Sequence, residues 1–302
     1  MLFTDERLAK ALTAANPQIS AIQPAIPKQF DWRTKNRVTP VKNQGFLCGS
    51  CWVFAAIAAY ESAYLIANNE DAVQNGTLAV NVSEQEALDC TFPENDCVAG
   101  GWHEVVFVYL QFEGEVSGDT YQYRGAKGFC TSNLARSYYL LNWGYVIDTT
   151  ANASLIPSDL ALKQAIYRYG PVACSVVTKG WDNYCKLYDD GTPNPRWSTD
   201  FPNGIFPGQP TTSLKQTDID HEVVIVGWDD TPPGVWLIKN SWGTNWGDGG
   251  YMKLKYQSNY IGFGSSWLIV SPEDAVSAAL ATRLNSISNL LSKFYPEFEQ
   301  LR

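Results

Sequence analysis

The sequence predicts an α+β fold, with a helical half followed by a β-rich half. Residues 52–67 contain no glycine or proline, and Val53, Phe54, Ile57, Tyr60, Tyr64 and Leu65 cover most of a helical circumference. A helix that is apolar nearly all round belongs in a core. Ser83 and Glu86 have the spacing of a capped helix start, and residues 105–112 read as a further helix. From about Ser137 the pattern changes to short β-rich runs at 145–147, 172–177, 223–226, 235–238 and 251–254, with turn residues between them. Helices followed by a run of strands indicate an α+β protein.

Gly45 and Gly49 punctuate the chain just before the apolar helix, which places Cys51 at or near its N-terminus. Unpaired N–H groups and the positive end of the helix dipole favour an anion there. A thiolate is such an anion, so Cys51 is a candidate nucleophile. Two other readings use the same residues. Cys48-Gly49-Ser50-Cys51 is a C-x-x-C at a helix start, the arrangement of thiol–disulfide exchange proteins. It is also half of a zinc site, although a second such pair is missing and the chain has two histidines.

The chain of 302 residues allows one large domain or two lobes with a full core. A net charge of −9 without any basic run argues against nucleic acid and against anionic membrane surfaces as partners. Apolar runs fall short of the ~20 residues a membrane helix needs, and no signal segment is visible at the start. Seven cysteines fit one reactive thiol and three disulfides, hence an oxidising compartment: secreted, periplasmic, or lysosome- or vacuole-like.

Longer motifs weigh towards hydrolysis. Cys48 to Trp52 match C-G-[SA]-C-[WY], and Phe30-Asp31-Trp32-Arg33 is followed by Val38-Thr39-Pro40-Val41-Lys42-Asn43-Gln44-Gly45. Downstream stand Asp220-His221-Glu222-Val223 and Trp236-Leu237-Ile238-Lys239-Asn240-Ser241-Trp242-Gly243. Through these motifs residues 28 to about 270 resemble the papain-like cysteine proteases, papain and the cathepsins. The resemblance implies two lobes, helical over about 40–136 and antiparallel, barrel-like over about 137–270, with the active-site cleft between them in a domain spanning 29–270. Residues 1–28 are then an N-terminal extension or short pro-segment. Residues 271–302 form a C-terminal extension, in which Val276, Leu280, Leu284, Ile287, Leu291 and Phe294 have the spacing of one amphipathic helix and a possible dimer surface.

The resemblance further implies a peptidase, an endopeptidase, working through an acyl-enzyme on Cys51 without cofactor or metal. His221 is the acid/base, ion-paired with the Cys51 thiolate. Asn240 orients the imidazole under the shield of Trp242, and Gln44 donates to the oxyanion. Gln44 lies seven residues before Cys51 where the family has six, since Phe46-Leu47 replaces one residue. Gly100 and Gly101 offer a backbone edge to an extended peptide, with Trp102, Asp220 and Ser266 also at the substrate. Disulfides Cys48–Cys97 and Cys90–Cys130 are implied by matching positions, and Cys174–Cys185 is left by elimination. Glu61 reads as a structural buried charge, His103 as a surface or partly packed side chain, and 189–203 as a surface insertion. Partners are peptide or protein substrates and residues 1–28 themselves, with Ile19, Ile22 and Ile26 lying in the cleft near Gly100, Gly101 and Trp102. The rival readings are an idle papain-like binding or storage protein, and thiol–disulfide exchange at Cys48/Cys51.

Overall fold

The computed structural model describes residues 25–271 apart from Pro93, Ser132 and the stretches 148–154 and 189–190. The N-terminal 24 residues and the C-terminal helix expected from the 276–294 spacing lie outside the described residues.

Helix α1 (Cys51–Asn68) runs through the centre, its residues from Trp52 to Leu65 buried on nearly every side. By length and composition it would cross a membrane, but most of it is buried within the protein, which makes it a core helix. It stops at Asn69, whose left-handed backbone returns its N–H to the carbonyls of Ile66 and Leu65. Helix α2 (Glu84–Cys90) starts where the Ser83 hydroxyl accepts the Glu86 N–H at 2.9 Å. Helix α3 (His103–Phe112) buries Val106, Phe107 and Leu110 in the core that surrounds α1.

The β half is one eight-stranded sheet, beside a small hairpin of β2 (Val73–Gln74) and β3 (Thr77–Leu78). Its strands are β1 (Gln29–Asp31), β4 (Asn142–Tyr145), β5 (Val172–Val176), β6 (Ile205–Phe206), β7 (His221–Asp229), β8 (Val235–Lys239), β9 (Tyr251–Lys255) and β10 (Phe263–Ile269). The order is β4-β10-β5-β7-β8-β9-β6, with β1 on the far half of β7. Pairing is antiparallel except for the short parallel contact of β6 with β9.

Strand β7 is buried on both faces, and its alternation divides two cores. Val224 and Val226 join the cluster around α1, while Val223, Ile225 and Trp228 join a second cluster with Trp181, Trp236 and helix α4 (Asp159–Tyr169). The strand's first residue, His221, is thus delivered to the seam between the cores.

Buried charges pin the segment leading into α1. Glu61 of α1 is almost fully buried and accepts from Lys42 Nζ at 2.9 Å, Thr39 Oγ1 at 2.6 Å and the Val82 N–H at 3.0 Å. Lys42 also reaches Glu84 of α2 at 2.6 Å. Burial alone would raise Glu61, but Lys42 and Lys239 hold it below the usual carboxylate range.

The described part of the insertion is mostly exposed, as expected of a surface loop, and is anchored by α5 (Trp197–Asp200) and the buried Phe201, with Trp197 and Phe201 packed on Tyr184 at 4.8 and 4.9 Å. One expectation changes here. Ile26 does not lie in a cleft. It packs on the second core, where the Pro27 carbonyl accepts Trp228 Nε1–H at 3.0 Å and the Lys28 carbonyl accepts the Asp230 N–H at 2.8 Å. Both contacts sit at the end of β7 away from His221, because the apolar surface that this leader can cover is there. The calls on Ile19 and Ile22 fall outside the described residues.

Candidate active site

Cys51 is the first residue of α1. Ser50 before it makes no side-chain bond to the helix, because its hydroxyl is 2.7 Å from that of Tyr123. Burial outweighs the N–H groups of Trp52 and Glu222, which favour a thiolate on Cys51. The thiol stays partly open to solvent.

His221 Nε2 lies 2.7 Å from Asn240 Oδ1. The oxygen also accepts the Ser241 N–H at 2.8 Å, so it is the amide's acceptor end and Nε2 carries the ring proton. Nδ1 is left with its lone pair, the form a base requires. Trp242 lies over the ring at 4.6 Å between centroids and Trp181 stands edge-on at 6.1 Å. Burial pulls His221 down to about 4, against the Asn240 bond and Asp220. Burial, then the Glu222 carboxylate, push the Cys51 thiol up to about 12. Burial works against charge on both groups, and the Glu222 carboxylate also opposes a thiolate.

Gln44 is buried and held by Ser241. Its backbone N–H donates to the Ser241 carbonyl at 2.8 Å, and its Oε1 accepts the Ser241 hydroxyl at 2.6 Å. The amide Nε2 is thereby turned the other way, with one long contact of 3.4 Å to the Cys48 carbonyl. Tyr123 donates to the Gln44 carbonyl at 2.9 Å. The length difference is absorbed by Phe46 and Leu47, which stand in solvent at 95% and 77% exposure.

The pattern of the papain family cysteine proteases matches residues 26–270. The chain belongs to that family. It is 36% identical over 240 residues to cysteine endopeptidase Rep1 of Oryza sativa subsp. japonica, covering 78% of this chain and 55% of the relative. It is 30% identical over 257 residues to a viral cathepsin of Heliothis zea nuclear polyhedrosis virus, covering 81% and 58%. The chain thus spans little more than half the length of these curated relatives. Among solved structures it is similar to the bromelain protease of Ananas comosus, there in complex with the E64 inhibitor. That match has a TM-score of 0.60 and 28% identity, over 82% of this chain and all of the other. A digestive procathepsin L 3 of Tenebrio molitor matches with a TM-score of 0.61 and 28% identity, over 84% and 73%.

The remaining residues implied by the papain resemblance divide. Gly101 sits where a Cβ would come within 2.7 Å of the Trp52 ring, so no side chain fits. Gly100 exchanges both backbone bonds with Asp96, at 3.1 and 3.2 Å, and is not free to pair with a peptide. Trp102 is exposed beside them at 43%. Asp220 is exposed and turned to Thr178, accepting its N–H at 2.8 Å and its hydroxyl at 2.7 Å. Ser266 is fully buried under His103 and out of a substrate's reach. His103 itself is wholly buried and paired with Glu222, not a surface side chain.

Cys48 is bonded to Cys97 and Cys90 to Cys130. Cys174–Cys185 does not form. Cys174 is a free thiol sealed inside the second core, whereas Cys185 is a free, partly exposed thiol in the loop beside Gly247. The exchange reading at Cys48/Cys51 also fails, because Cys48 is already committed to Cys97 and buried.

Proposed function

We propose that the protein is a cysteine peptidase, acting as an endopeptidase, whose nucleophile is Cys51 and whose acid/base is His221. The observation that carries this reading is an imidazole held by Asn240 in the tautomer that leaves Nδ1 basic, in a chain that opens its central helix with a thiol. The names of the relatives, cysteine endopeptidase and thiol protease, point the same way.

In this reading the Cys51 proton passes to His221 Nδ1 as sulfur attacks the peptide carbonyl carbon. The oxyanion forms between the Gln44 amide N–H and the Cys51 backbone N–H, donors each worth about 2.7–4 kcal/mol when preorganised. The imidazolium gives its proton to the departing amine as the C–N bond breaks, leaving a thioester on Cys51. Water, deprotonated by His221, then attacks the thioester, and Cys51 leaves as the thiol. Asn240 keeps the ring in register throughout, and Trp242 keeps water from the Asn240 bond. An extended substrate lies against Gly101 and Trp102, and the lobes divide near residue 137. The resemblance to secreted and vacuolar proteases, with two disulfides, favours an oxidising compartment.

Cys51→Ala is expected to abolish hydrolysis of a fluorogenic peptide while leaving the thermal unfolding midpoint within a few degrees of wild type. Wild-type turnover by that variant would sink the assignment. Intact binding with no turnover by the wild type would favour the idle, substrate-holding alternative.

A further inference from the structure

Alternation along β7 turns the residue after His221 to the opposite face, and α3 closes over it. There Glu222 is 3% exposed and His103 wholly buried. Glu222 Oε2 accepts the His103 backbone N–H at 3.1 Å and lies 2.9 Å from Nδ1, while Oε1 accepts the Ser175 hydroxyl at 3.2 Å. Three donors converge on this group, which makes it a carboxylate. On the other side of the ring, Nε2 lies 3.0 Å from Ser266 Oγ and 3.1 Å from the Gly264 carbonyl. The Ser266 hydroxyl donates to that same carbonyl at 3.0 Å, so Nε2 also faces acceptors. An imidazole with acceptors at both nitrogens carries both protons. The pair is a buried imidazolium and carboxylate.

Such a pair is a poor device for stability alone, since apolar residues of the same volume do as well or better. Its position suggests another role. Glu222 follows His221 on β7 and lines one small cavity with Phe54 and Ala55 from the first turns of α1, so its carboxylate opposes a thiolate on Cys51. We propose that His103 is a positioning residue for the reaction, cancelling the Glu222 charge beside Cys51 and anchoring the strand start that carries His221. This rests on Cys51 being the nucleophile.

Other ionisable groups around this region do not take that part. Asp220, just before β7, is bonded to Thr178 and shares the sign of Glu222. Glu104 of α3 lies 3.7 Å from His103 Nε2 and shares the sign of Glu222. Lys239 of β8 lines the same small cavity as Glu222 but donates to Thr39 at 3.0 Å, and burial lowers it to about 8. Cys174 of β5 is pushed by burial up to about 12. Among the described residues, His103 is the cation in contact with Glu222.

The test is the pH dependence of Cys51 alkylation by iodoacetamide, followed by peptide mass mapping, in wild type, His103→Gln, Glu222→Gln and the double variant. His103→Gln should move the midpoint up by about one pH unit or more, the size expected when a nearby opposing charge is uncovered. Glu222→Gln should move it below the wild-type value, and the double variant should return it to about that value. A wild-type midpoint in His103→Gln, or an upward shift that persists in the double variant, would overturn the proposal. If His103→Gln does not fold, Glu222→Gln alone decides: its midpoint must fall, and an unchanged one overturns the idea. Alkylation reads the thiol whether or not peptide is cleaved. A protein whose Cys51 alkylates as described but which hydrolyses nothing would defeat the peptidase reading alone.

Discussion

Ser241 decides which way the Gln44 amide faces. With its hydroxyl on Oε1 at 2.6 Å and its carbonyl on the Gln44 N–H at 2.8 Å, it grips the side chain and the backbone together. Gln44→Ala should lower kcat by about 10²–10³-fold, as expected for one oxyanion donor. Ser241→Ala should lower it by about tenfold or less, the worth of one orienting hydrogen bond, with KM little changed. Equal losses from the two variants would mean that Ser241 does more than orient. Gln44, Cys51, His221 and Asn240 were legible in the sequence because each sits in a long motif. Ser241 lay inside one of those motifs without a role, since a serine's partner is set by which carbonyl or amide folds against it. His103 was misread for a related reason: a lone histidine after a Gly-Gly turn says nothing of a glutamate 119 residues away.

At the scale of elements, Lys42 ties α1 to α2 through Glu61 and Glu84, two residues before Gln44. Both acids are buried, and removal of the cation leaves two carboxylates facing one another. Lys42→Met is therefore expected to cost about 3–5 kcal/mol of unfolding free energy in urea, the usual consequence of orphaning a buried charge. A loss under ~1 kcal/mol would show that water or Lys239 substitutes for it. The sequence marked Glu61 as needing a buried partner, but three candidates arrive from separate segments and only the fold brings them together. The helices were legible as far as Ser83 and its cap, because capping is local chemistry. The strand expected at 145–147 is displaced to Asn142–Tyr145, since pairing with β10 rather than local preference sets the register.

For the whole molecule, the two histidines push stability in opposite directions with pH. His221 is depressed to about 4 from an ordinary value near 6.5, so the folded state resists its protonation and stability falls as pH drops through that window. For His103, burial works against the proton, but Glu104 and Glu222 outweigh it and raise the group to about 9. Its contribution is complete below about 6.5 and is lost as pH rises towards 9. Urea unfolding at pH 6.5 and pH 9 should show wild type losing about 3 kcal/mol more than His103→Gln/Glu222→Gln over that interval. Parallel profiles would mean that His103 is not charged in the fold. The α+β division was legible because apolar periodicity changes near Ser137. That β7 serves both cores was not, for a run of valines reads the same whether one face or two is covered.

The Cys48–Cys97 bond has a consequence for how the protein must be kept. It holds Gly49, whose N–H donates to the Cys97 carbonyl at 2.9 Å, two residues before the sulfur of Cys51, which as the proposed nucleophile must stay reduced. A reductant that protects Cys51 also threatens Cys48, through the same thiolate attack on sulfur. What separates the two is access: Cys48 is buried and Cys51 is partly open. The protein therefore has a redox interval rather than a redox preference. Its lower edge is set by oxidation of a partly exposed thiol, and its upper edge by how often the loop opens far enough to admit a reductant.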